Sequence, residues 1–354
     1  MASLAKVLVL VGVGVALARS ERERRIATRA RRTPTRSSLH SDEPRAAGLR
    51  RVILGQLDRA IELLEDPRGD PDGETVHEVR KIVKRLRAIV RLLRGELGAQ
   101  RFAREDAALR DCGRRLSGAR DAEVMVDTLD ALCKEHPKLT RAKAASRRGD
   151  PRGGGGGGGV RALRAQLVAE REAASASEDA ALRAAVVADL RAIRARAAAW
   201  KLRERPQRPT RLLAPGLEHL YGEGRRRMRR ARRRGGVEAM HAWRKRVKAL
   251  RYAAQTLDRG GEWRETKSAR RLRSVARRAD RIGDLLGEEH DLALLARVVR
   301  RRAKLFAGDR KQQKRLLRAI ARRRKRLRKR ALREGECLYE RKPKAFVRGV
   351  RKAL

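Results

Sequence analysis

Two histidines, each followed by the same train of cations, are the residues of this chain best placed to act together. His77, Arg80, Lys81, Lys84, Arg87 and Arg91 form one train; His241, Arg244, Lys245, Lys248 and Arg251 form the other. From each histidine, Arg, Lys, Lys and Arg recur at identical offsets. On a helix of 3.6 residues per turn the first train falls within an arc of about 120°. No Asp or Glu stands four residues from any of these cations. Like charges at that spacing repel, so the stripe costs stability unless an anion occupies it. The chemistry is anion binding, through guanidinium forks and ammonium groups. A general base or a metal centre needs carboxylates, which the stripes lack. We assign no catalytic residue, no cofactor and no metal ligand; His40, His136 and His219 have no ligand spacing. His77 and His241 allow two readings. Beside cations a histidine stays neutral and donates one N–H to an anion, or it simply packs its helix.

The helices that carry these residues are amphipathic. Val79, Ile82, Val83, Leu86, Ile89, Val90 and Leu93 lie opposite the first stripe. Trp243, Val247, Leu250, Ala253, Ala254 and Leu257 lie opposite the second, where Arg246 stands in the place of Ile82. The repeat organises the whole chain. In the first half helices are expected over 46–65, 77–93, 100–116 and 121–133, then 160–174 and 178–202. In the second half they are expected over 215–234, 241–257, 263–286, from about 291 to 306, and 309–339. Leu116-Ser117-Gly118-Ala119-Arg120-Asp121 answers Leu286-Gly287-Glu288-Glu289-His290-Asp291, with Asp121 placed as a cap. Helix N-termini near Arg120 and His290 would add backbone N–H donors.

Residues 1–45 are set apart as an apolar stretch followed by a disordered basic linker. Residues 46–340 form one domain. Its first half, 46–203, carries a glycine-rich insertion at 147–159; its second half is 214–340. Residues 341–354 are a basic tail. The uninterrupted apolar run, Val7 to Ala18, is short for a bilayer. A signal core over residues 1–18, a peripheral membrane anchor and an over-long start all fit it.

Net charge is +50, from 93 Lys and Arg against 43 Asp and Glu. That balance implies a polyanionic partner. Aromatic residues are only 3 % of the chain, which disfavours stacking on single-stranded nucleic acid. Ala, Leu and Arg dominate and no alternating strand pattern occurs, so the class is all-α. Cys112, Cys133 and Cys337 form no CxxC pair, which fits a reducing, cytoplasmic setting.

The two trains, His77-x-x-Arg80-x-x-x-Lys84-Arg85-Leu86-Arg87 and His241-x-x-Arg244-x-x-x-Lys248-x-Leu250-Arg251-Tyr252, resemble the paired signatures of the CHAD domain, the conserved histidine α-helical domain. Gly283 to Leu292 resembles that domain's leucine-glycine-aspartate segment, and Leu116 to Asp121 its first-half counterpart. The resemblance implies two pseudo-twofold-related antiparallel four-helix bundles around a basic central groove. It implies non-catalytic binding of inorganic polyphosphate and association with polyphosphate granules. His77, Arg80, Lys84, Arg87, His241, Arg244, Lys248 and Arg251 are the matched residues; Lys81, Arg91 and Lys245 join them from the helical wheel. General nucleic-acid binding is the alternative function. Oligomeric state is not legible.

Overall fold

A computed structural model describes residues 38–40, 43–66, 74–116, 120–140, 158–176, 180–203, 209–258 and 266–351. The apolar N-terminal stretch, the linker through residue 37 and most of the glycine-rich insertion lie outside them. The described residues are helical and contain no strand.

The helices are α1 (Arg45–Glu65), α2 (Glu74–Leu92), α3 (Arg94–Arg115), α4 (Arg120–Glu135), α5 (Gly158–Ala176), α6 (Ala180–Ala198), α7 (Ala214–Arg234), α8 (Val237–Thr256), α9 (Lys267–Arg301), α10 (Arg310–Leu338) and α11 (Pro343–Gly349). Several follow directly from the apolar period. In α1, Leu49, Val52, Ile53, Leu57, Ala60, Ile61 and Leu64 are buried on one face. Burial of each of these Leu, Val and Ile side chains contributes about 1.5–3 kcal/mol, before the entropy of ordering it is counted. Thr266 accepts from the Ala269 N–H and Asp309 from the Gln312 N–H, capping α9 and α10. The turn from α7 to α8 passes through Gly235 and Gly236 at φ 58° and 74°, a left-handed backbone that glycine adopts freely.

Packing runs α1 against α2 and α6, and α3 against α2 and α6. In the second half α7 packs on α8, α8 on α9, and α9 on α10. The halves are joined where α2 meets α8, with α2 also touching α7. The largest apolar cluster runs across this junction, from Leu49 and Val79 through Trp243 and Leu250 to Ile282. A second cluster lies apart from it. There α4 and α5 lay Leu129, Leu132, Leu163 and Leu167 against Leu292, Leu295 and Val299 of α9 and Leu316 and Ile320 of α10. Helices of the first half are therefore packed into the second.

Three expectations change. The second half has no break at residues 287–291, because α9 is one helix of 35 residues. Residues 343–349, read as tail, form α11 and pack on α7, with the Phe346 ring stacked 4.1 Å from that of Tyr221. The third helix begins earlier than expected, at Arg94, and bends at Gly98, where φ is 74°. Asp121 falls in the first turn of α4, and its side chain lies outside the described set.

Candidate anion-binding groove

Where α2 and α8 meet, burial of their apolar faces turns the two basic stripes toward each other. The Lys84 ammonium is surrounded by charge: Arg80 and Lys81 from its own helix, Arg244 and Lys248 from α8. Burial first, then these four cations, push Lys84 down to about 8. Its surface nevertheless remains exposed, so it lines an open groove and not a sealed core. Lys248 is pushed down to about 8 by burial, then by Arg244 and Arg251, against the opposing pull of Asp284 and Asp280. Among the described residues Arg80, Lys84, Lys245 and Lys248 make no salt bridge. A lysine that releases its proton this readily carries an under-compensated charge, which an anion would restore.

The ends of the stripes differ from this centre. Lys81 donates to Glu78 at 3.0 Å. Arg87 holds both oxygens of Asp106 on α3, at 3.1 and 3.0 Å, and Arg91 reaches the same carboxylate at 2.9 Å. Arg251 lies 2.5 Å from Asp280 of α9. The expectation of cations without carboxylates therefore fails at both ends. Glu78 stands three residues from Lys81, and the other partners come from neighbouring helices. Burial, then Arg87, lowers Arg91 to about 10. For Asp106 burial works upward, but Arg87 and Arg91 outweigh it and hold the carboxyl below its ordinary value.

The second stripe rests on α9 in a regular ladder. The His241 ring stacks on His290 with centroids 4.3 Å apart and planes 30° from parallel. Burial, then His290, Lys245 and Arg244, push His241 down to about 4, so it is neutral at pH 7. Its Nδ1 is buried with no hydrogen-bond partner among the described residues. A turn onward the Arg244 guanidinium covers Gly287, where a Cβ would stand 2.8 Å from it. The stem of Lys248 then lies over Gly283, 3.5 Å from where a Cβ would be. Asp280 and Arg251 close the series. Two glycines four apart inside a helix are a sequence signal of close approach. Their place on α9 makes room for the two α8 cations. It also corrects the expected helix start at His290: that residue is inside α9, where its backbone N–H belongs to the helix.

Arg246, the departure from the repeat, turns to Glu223 of α7 at 3.7 Å. Arg85 of α2 crosses the junction. Its guanidinium lies 5.9 Å from the centre of the Tyr252 ring and donates to Gln56 at 2.6 Å. The structure thus brings the central members of both trains together. It adds Asp106 and Asp280, which the sequence did not single out, and it gives Gly283, Gly287 and His290 of the recognised segment a role as the bed on which the α8 stripe lies. Among the described residues no group of three His, Cys, Asp or Glu side chains is placed to hold a metal ion. None of their helices is long and apolar enough to cross a membrane.

Fold and groove define an all-helical protein in which two related His-Arg-Lys helices meet face to face. The family model of the CHAD domain matches residues 51–300, most of the chain, and the chain belongs to that family. Among solved structures it is similar to the CHAD domain from the plant Ricinus communis. The identity is 18 % and the TM-score 0.50, over 89 % of this chain and 94 % of the plant one. That likeness concerns the fold. No curated protein matches the sequence.

Proposed function

We propose that the groove between α2 and α8 binds inorganic polyphosphate, without catalysis. We further propose that α2 and α8 belong to two four-helix bundles related by a pseudo-twofold axis, with the groove on that axis. One observation carries the reading: Lys84 and Lys248, from equivalent positions of the repeat, are both lowered to about 8 in a groove they share with Arg80 and Arg244. Four cations converging from two helices suit a thin chain with about one charge per phosphate. Displaced counterions would drive association and make it salt-dependent, as for other polyanions. Membership of the CHAD family supports the same ligand, and with it a cytoplasmic protein gathered on polyphosphate granules.

The test replaces Arg80, Lys84, Arg244 and Lys248 together with Ala and titrates long-chain polyphosphate at near-physiological salt. A drop of at least about 100-fold in affinity with unchanged helicity is expected, since each charge-assisted hydrogen bond contributes about 1.5–3 kcal/mol. Unchanged affinity overturns the assignment. A second titration challenges the loaded wild-type protein with duplex DNA at matched phosphate concentration. The groove reading requires that DNA leave the polyphosphate in place.

A further inference from the structure

The most densely basic helix is α10, and its cations fall into two populations. Those turned inward are neutralised. Arg324 and Arg328 both bond the buried carboxylate of Glu289, at 2.8 Å and 2.7 Å, and Arg323 pairs with Glu288 and Glu135. Of those turned outward, Arg326 pairs with Glu135, but the row beside it is unpaired. Lys314, Arg315, Arg318, Arg322, Lys325 and Lys329 are all exposed and make no salt bridge among the described residues. Their spacing of three and four places them within an arc of about 100°. Lys311 and Arg333 continue the row at its ends, giving a straight stripe of about 33 Å. No Asp or Glu occurs anywhere from Arg310 to Arg333. Cations at i and i+4 repel by about 0.2–0.5 kcal/mol per pair, so the row is maintained against a cost.

We propose that the outer face of α10 is a second polyanion-binding surface, separate from the groove, and that it takes duplex nucleic acid. The shape argues for a stiff partner. A flexible chain would lose conformational entropy in straightening along a convex row, and nothing encloses it in return. A duplex is already straight over this length, with a persistence length of about 50 nm. The stripe's length is close to one duplex turn of about 34–36 Å. Absence of aromatic side chains from the stripe excludes base stacking, which single strands exploit. The only exposed apolar residue on this face, Ala321, offers nothing to insert into a bilayer. Binding of this kind is to phosphates and carries no sequence preference. The inference is independent of what fills the groove.

The test uses the full-length protein and a fluorescein-labelled duplex of about 20 base pairs, followed by anisotropy across a salt series. Changing Lys314, Arg315, Arg318, Arg322, Lys325 and Lys329 to Gln should weaken duplex binding at least about 30-fold in about 0.15 M salt. The slope of log affinity against log salt should become shallower by about 5, roughly 0.9 for each of the six phosphates no longer neutralised. Polyphosphate affinity should change less than about threefold. The Arg80, Lys84, Arg244 and Lys248 to Ala variant should keep its duplex affinity within about threefold. Acetylation rates on the wild-type protein give a readout that needs no variant: duplex should protect Lys314, Lys325 and Lys329. Unchanged labelling of those lysines overturns the proposal. So does duplex affinity unaffected by the six substitutions, or wild-type binding to phosphatidylserine vesicles but not to duplex.

Discussion

The guanidinium of Arg244 lies on Gly287, so near that a Cβ there would stand 2.8 Å from its terminal nitrogen. The obstructing atom is the far end of a flexible side chain, so Gly287→Ala forces Arg244 aside and leaves the backbone in place. Removing a mid-helix glycine gains up to about 1 kcal/mol of helix propensity. The variant should therefore be at least as heat-stable as the parent and bind polyphosphate about three- to tenfold more weakly. A thermal melt and a titration on one preparation check both. Weaker folding with intact affinity would contradict this placement of Arg244.

Gly216 is the contrasting case. A Cβ there would lie 1.8 Å from the backbone oxygen of Leu92, at the seam between α7 and α2. A carbonyl of a packed helix cannot rotate away, so the helices must separate. Gly216→Ala should destabilise by about 2–3 kcal/mol. Chemical denaturation, with the slope compared to wild type, reads the change.

Lys84 and Lys248 are held near 8 in the free protein, against an ordinary value of 10.5. A bound anion favours the charged lysine and moves both back upward. Affinity should therefore be full below about pH 8 and decline between about 8 and 10.5, with up to two protons linked to binding. At pH 8 the complex should take up about one proton, seen by calorimetry in buffers of different ionisation enthalpy. A flat profile from about pH 7 to 9.5 would remove these lysines from the site.

The same lysines weaken the empty fold. Lys248→Met keeps the stem over Gly283 and deletes the charge. It should stabilise the unliganded protein by an amount on the order of 1 kcal/mol, discounted for the solvent that reaches the groove. Saturating polyphosphate should reverse the order of melting temperatures, because the wild type gains more from binding.

His241 provides a stability signal at lower pH. Its pKa is held at about 4 against an ordinary 6.5, so the folded state resists protonation more than the unfolded chain does. Stability is full above about pH 6.5 and declines as pH falls toward 4. His241→Gln should flatten that part of the melting-temperature profile. An unchanged slope between about pH 6.5 and 4 would mean that the imidazole protonates freely where it stands.

The all-helical fold was legible from local periodicity, and the pairing of the two histidine helices from the internal repeat. The inward faces of α2 and α8 are the residues their 3.6-residue period selects. What escaped depends on neighbours distant in sequence. Asp106 is 19 residues from Arg87, and no spacing rule links them. Gly287 and the charged residues after it look like a turn, yet α9 runs on through them, and the glycine instead leaves room for Arg244 of the neighbouring helix. His290 lay in a recognised segment, but its stacking on His241 required the crossing of two helices to be known. The α11 segment was hidden by its lysines and arginines. Only Phe346, Val347 and Val350 are buried, too few for a periodic signal.

The interleaved cores have a consequence for how such a chain can be divided. Helices α4 and α5 belong to the first half of the sequence but close their apolar side on α9 and α10. An isolated first half would expose that leucine face, and an isolated second half would expose its complement. Co-expressed fragments 46–203 and 214–351 should find each other and assemble, while either alone should aggregate. The repeat is still visible in the sequence, but with its cores interleaved its two copies should fold only together.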